Sequence, residues 1–121
     1  MIYNNLFDNF IALFPDDKMW FDNECNKKEV SNEDGMHIVF GLVVVPYLLD
    51  IAYKSDEKLQ LAFDYIEKME ISGNPQIAEV VEFSILENLI GVENDKSNKL
   101  LEFMGDETRK AFEDVKKWYK A

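Results

Sequence analysis

Between Glu79 and Ile90 the chain reads EVVEFSILENLI, and its apolar positions do not sort onto one side. Wound as a helix, the stretch aligns Val81, Ser84, Ile85 and Leu89 with the preceding Ile77, as a 3.6-residue period requires. Glu79, Glu82 and Glu87 fall on the opposite face, and Phe83, Leu86 and Ile90 fall among them. A helix that is apolar all round normally lies between two layers. An aromatic side chain ringed by charge is also how a binding anchor is built. Phe83 therefore has two candidate destinations, a core layer or a partner.

The same periodicity predicts five other helical segments. NNLFDNFIALF spaces Leu6, Phe7, Phe10, Ile11 and Phe14 for a helix that stops at Pro15. The polar stretch that follows, through Gly35, predicts a loop with a short turn of helix near Met19–Glu24. MHIVFGLVVVPYLLDIAYK suits a strand over 38–45 by its valines. Its apolar sequence on both sides of Pro46 favours a buried helix kinked or restarted at that proline. In SDEKLQLAFDYIEKMEIS, Ser55 serves as N-cap and Asp56 and Glu57 suit the positive helix end. Leu59, Ala62, Phe63, Ile66 and Met69 make its buried stripe, and Gly73 suits the C′ position. Asn74 and Pro75 then restart the chain as N-cap and first helical residue. Asp95 and Asp106 are the expected caps of the last two helices. In the final one Phe112, Val115, Trp118 and Tyr119 are expected to face inward.

Helices joined by only SGNP must run roughly antiparallel. The pattern thus predicts an all-α fold, one domain over residues 1–121. It would be a small bundle or a short α-solenoid of helix hairpins, about six helices in all. No repeat of fixed period is present. Phe63, Ile66, Val81, Ile85, Leu89 and Phe112 should share one core.

Composition agrees and adds charge. With 5 Gly and 3 Pro in 121 residues, the chain lacks the turn residues of a sandwich or barrel. Cys25, the single cysteine, cannot form an internal disulfide and reads as an unreactive thiol. The longest apolar run, Ile38 to Leu49, is 12 residues, short of the roughly 20 that span a bilayer. No basic leader with a long apolar stretch opens the chain, so the expected location is the cytoplasm, without membrane contact. The net charge is −11. It is uneven: residues 1–95 carry 19 acids and 6 bases, residues 96–121 carry 5 and 7. Such a field repels nucleic acid and attracts basic partners.

Catalytic groups do not assemble. Glu33 and Asp34 precede His37 at helical spacing, but one histidine with two acids reads as first-turn acids beside a core-facing imidazole. Glu79-x-x-Glu82 lacks the Glu-x-x-His partners of a di-iron bundle. SDEK formally matches a Ser-x-x-Lys pair, and Ser55 is better explained as a cap. No glycine-rich phosphate loop or zinc spacing occurs. The expectation is a non-enzyme without cofactor or metal.

What remains is surface. Glu57, Asp64 and Glu67 form an acidic stripe on one helix, and Glu79 and Glu82 with Phe83 lie on the next. The antiparallel hairpin would set the two side by side as a partner-binding face. Asp16, Asp17, Trp20, Asp22 and Glu24 repeat the acid-aromatic mixture as a second candidate surface.

EVVEFSILENLI followed by LLEFMGDETRKAFEDVKKWY resembles a pattern in small all-helical bacterial proteins, among them immunity proteins of polymorphic or contact-dependent toxin systems. The resemblance runs from about Gln76 onward and does not extend to residues 1–75. It implies a stoichiometric inhibitor without catalysis, and it transfers no binding residues. Taken with the acidity, it makes the expected partner a basic toxin domain such as a nuclease, whose cleft the acidic surface would occupy. A helical-repeat adaptor that binds a protein or peptide segment is the alternative.

Overall fold

Pro15 ends one helix and opens the next, as a ring with fixed φ and no N–H should. A 3-10 turn at Tyr3–Asn5 leads into α1 (Leu6–Ala12), and a second turn at Pro15–Asp17 leads into α2 (Lys18–Lys28). The computed structural model describes residues 1–92 and 95–120, and among these it contains helices and no strand. α2 corrects the sequence reading, which placed only a short turn inside a loop there. It buries one residue, Phe21, so it carries no apolar stripe to betray it. It stops at Glu29, whose φ of 56° is the left-handed position usually given to glycine.

After the 3-10 turn Asn32–Asp34, α3 covers residues 36–51 without interruption. It is α-helical over Met36–Val39, π-helical over Phe40–Val44 and α-helical again over Val45–Ile51. The strand alternative for 38–45 is thus excluded. Pro46 does not restart the helix, because the wider π turn just before it absorbs the ring. Pro46 has no N–H to offer the Leu42 carbonyl four residues back. The Lys28 ammonium donates to that carbonyl instead, at 2.6 Å.

α4 (Asp56–Glu70) forms as its caps foretell, the Ser55 hydroxyl accepting the Lys58 amide at 3.1 Å. α5 covers residues 75–90, with Asn74 accepting the Gln76 amide at 3.0 Å and Pro75 in the first turn. It too has a π segment, Val80–Leu86, between the α-helical Pro75–Glu79 and Glu87–Ile90. α6 (Asp95–Phe103) and α7 (Asp106–Lys120) complete the chain. The described residues therefore hold seven helices, one more than the apolar periodicity showed. Asp95 is the first helical residue of α6, and what precedes it lies outside the described residues.

The π segments of α3 and α5 pack against each other. Gly41 lets them approach: a Cβ there would stand 3.2 Å from Asn88 Nδ2 and 3.7 Å from the Ser84 carbonyl. Asn88 donates its amide to that carbonyl at 2.8 Å. α7 covers the other side of α5 and also packs on α4. The core joins Phe63, Ile66, Val81, Ile85, Leu89 and Phe112 as expected. Leu86 and Ile90 are buried as well, because α5 lies between two layers, whereas Phe83 remains 43% exposed. At the other end Phe7, Phe10, Phe14, Phe21, Phe40 and Tyr47 form one aromatic cluster.

Candidate functional site

The cleft of interest exists because Glu67 holds α7 in place. Its carboxylate accepts the Glu107 amide at 3.1 Å, the Thr108 amide at 2.8 Å and the Thr108 hydroxyl at 2.7 Å. These are first-turn donors that have no partner within their own helix. Burial pushes the Glu67 carboxyl pKa up, but the hydrogen bonds from Thr108 and Glu107 prevail and hold it below the ordinary carboxylate range. Gly105 makes room, since a Cβ there would lie 2.5 Å from the Glu67 carboxyl carbon. Two expectations are corrected here. Asp106 is the first helical residue of α7 and does not supply this cap, and Glu67 is turned inward instead of standing in an acidic stripe.

With α7 laid across α4 and α5, a cleft of about 420 Å³ opens between the three helices. Its walls include Glu70 of α4, Glu82 of α5, and Glu107, Lys110, Asp114 and Trp118 of α7. The Glu70 and Glu82 carboxyls meet. Burial pushes the Glu70 pKa up first, then the hydrogen bond with Glu82, then the charges of Glu82, Glu67 and Glu107. Among the described residues no N–H or hydroxyl donor reaches Glu70 Oε1, which is shielded from solvent. Lys110, the cation on the cleft wall, is drawn to Glu107 at 3.1 Å.

Aromatic surface lies at the mouth. Phe83 and Trp118 sit with ring centroids 6.2 Å apart and planes inclined by 32°. Trp118 is 60% exposed, and Ile71 beside the cleft is 59% exposed. The sequence reading placed Trp118 and Tyr119 inward. Both face solvent, while Phe112 and Val115 fill the buried side of α7.

The predicted partner-binding residues therefore divide. Glu82 lines this cleft, Phe83 adjoins it through its contact with Trp118, and Glu79 is exposed on α5 just before them. Glu57 is exposed at the far end of α4, beside a separate cleft of about 240 Å³ that also includes Asp16 and Leu61. Asp64 is exposed and accepts the Gln60 amide at 2.7 Å. The hairpin does not combine the six into one face. Glu70, Glu107, Asp114 and Trp118 were not anticipated. Glu70, three residues beyond Glu67, was the one signal of helical spacing on offer.

The second candidate surface is largely paired internally. Asp17 accepts Lys58 at 2.8 Å and the Tyr47 hydroxyl at 2.6 Å. Those two bonds hold its carboxyl below the usual range against the opposing effect of burial. Asp22 pairs with Lys18 at 2.7 Å, and Glu24 with Lys28 at 3.1 Å. Trp20 packs on Phe21 and Tyr47, so its ring is partly buried; Asp16 stays exposed.

His37 corrects a further reading. It is exposed, and its Nδ1 lies 2.6 Å from the Ser84 hydroxyl across the α3–α5 crossing. Ser84 is only 5% exposed. The pair links the α-helical start of α3 to the π segment of α5. Among the described residues, no group of three acid, histidine or cysteine side chains is placed to hold a metal. Burial, and then Asp22 and Glu24, push the Cys25 thiol pKa up.

Fold and site together define a small all-helical domain with an acidic, aromatic-edged cleft. By sequence, the chain belongs to the DUF7674 family, described as a domain of unknown function, whose model matches residues 7–120. No curated protein and no solved structure matches the chain. No described helix is long and apolar enough to cross a membrane.

Proposed function

We propose that the chain is a stoichiometric binding protein for a basic protein domain, acting as an immunity protein that neutralises a toxin nuclease. One observation carries the reading: solvent-exposed Phe83 and Trp118 flank a cleft walled by Glu70, Glu82, Glu107 and Asp114. Exposed aromatic anchors beside charge are the composition of binding hot spots. A net charge of −11 steers a basic partner toward them. A nuclease cleft must be basic to hold polyphosphate, and carboxylates on this face take the place of phosphates within it.

The test uses the polypeptide encoded beside this chain in its genome. The two are purified, nuclease activity is assayed with and without the chain, and association is followed by stopped flow across a salt series. The expected result is a one-to-one complex with silenced nuclease and association that slows as salt rises. Glu82→Lys should slow association further, and Phe83→Ala should speed dissociation at a cost on the order of 2 kcal/mol. Absence of a complex, or one indifferent to salt and to both substitutions, refutes the proposal.

A further inference from the structure

We infer that the cleft between α4, α5 and α7 is a recognition pocket for one arginine side chain of the partner, its guanidinium held between Glu70 and Glu82 and stacking at the Trp118–Phe83 edge. The inference rests on the reading above, that this face meets a basic protein, and it names the chemistry that would enter.

Three features converge on a planar cation. Glu70 and Glu82 come from different helices and line the same cleft, and among the described residues no donor meets the solvent-shielded Glu70 Oε1. Two carboxylates sharing one cleft repel each other, and a proton or a cation between them relieves the repulsion. A guanidinium presents paired N–H donors in a plane and meets carboxylates two bonds at a time. It therefore satisfies both acids where an ammonium, as a point charge, satisfies fewer oxygens. The second feature is the rim. The Phe83 and Trp118 rings lie within stacking range of each other and keep much of their surface open, which suits guanidinium stacking. The third is charge. The groups facing the pair are Glu67 from α4 and Glu107, Lys110 and Asp114 from α7. Glu67 is committed to the α7 amides, and Lys110 is held by Glu107. Among the described lining residues the acids Glu70, Glu82, Glu107 and Asp114 thus outnumber the cation Lys110.

Entry of the guanidinium displaces such a proton to solvent, so binding and proton release are coupled. Nuclear magnetic resonance titration of the full chain with N-acetyl-arginine amide tests this, with the lysine amide and the uncharged citrulline amide as comparisons. The Trp118 indole and Glu70 carboxyl signals report binding and deprotonation. Saturable shifts at both, with arginine bound more tightly than lysine and citrulline inert, are expected. Glu70→Gln should weaken arginine binding by about tenfold through loss of a charge-assisted contact, and Trp118→Ala should weaken it without disturbing the fold, since that ring is exposed. Equal responses to arginine and citrulline, or arginine binding unaltered by both substitutions, overturn the inference. If arginine binds as described and the neighbouring polypeptide does not, the pocket stands and the immunity reading falls. If that polypeptide binds while arginine shows no preference over lysine, the reverse holds.

Discussion

Replacing Glu67 should loosen α7 from the rest of the molecule, and the structure sets the size of the effect. The carboxylate accepts two amides and one hydroxyl. The Glu107 amide belongs to an exposed residue, so water can replace its bond at little cost. Thr108 is fully buried, and its amide and hydroxyl would both lose their acceptor. Hydrogen bonds to a charged group contribute about 1.5–3 kcal/mol, and loss of a helix N-cap costs about 0.5–2 kcal/mol. Because these overlap, Glu67→Ala should cost about 2–3 kcal/mol, whereas Glu67→Gln keeps one acceptor and should cost about 1 kcal/mol. The assay is urea unfolding at pH 7 with the slope held common, the shift in midpoint giving the loss. The pH dependence carries a second signature. The folded carboxyl has its pKa below its unfolded value of about 4.3. The stabilisation is therefore present above that value and lost as pH falls through the folded pKa. The gap between wild type and Glu67→Ala should accordingly narrow at acid pH. A Glu67→Ala loss under about 0.5 kcal/mol, the ordinary range for surface changes, would refute the account of how α7 is held.

Three further outcomes follow from the same geometry. Glu70 has a folded pKa raised above its unfolded one, so its contribution is intact below about pH 4.3 and declines as pH rises toward the folded pKa; Glu70→Gln should raise the melting temperature at pH 8 more than at pH 5.5. Gly41→Ala would press on Asn88 Nδ2 at 3.2 Å, a group that cannot retreat without breaking its bond to Ser84. The helix-propensity gain of up to about 1 kcal/mol should be outweighed, giving net destabilisation by chemical unfolding. Cys25 should react slowly with a disulfide reagent at pH 7 in the folded chain and rapidly in urea, since its thiol is held protonated.

The elements legible in the sequence are those whose ends and faces agree. α4 and α5 have a side-chain cap at the start, Pro75 or acids in the first turn, and an apolar stripe that the core takes up. α2 was illegible for the converse reason: it buries only Phe21 and ends on a left-handed glutamate. The π segments leave no mark in composition, because their extra residue per turn is accommodated by tertiary packing. At the cleft, periodicity located Glu82 and Phe83 but misplaced Trp118, which shares a stripe with Val115. Helical spacing says which residues share a side, and it is silent on how far a neighbouring helix extends to cover them. Glu67 looked like one more solvated acid, since its partner is a helix start 40 residues further along the chain.

The π segment of α5 also works as a phase shifter. An α turn closes on the fourth residue ahead and a π turn on the fifth, so Val80–Leu86 contains a length of chain that an unbroken α-helix would not. Wound as plain α-helix, that extra residue would turn everything downstream by about 100°, and the wider turn takes it up instead. Without the wider turn Leu89, which is buried, would swing off the core. Glu82 and Phe83, lying inside the segment, owe their outward aim to that extra length. The cleft is thus encoded in the winding of α5 as much as in the side chains that line it, and the same acids and aromatics on an unbroken α-helix would be aimed elsewhere.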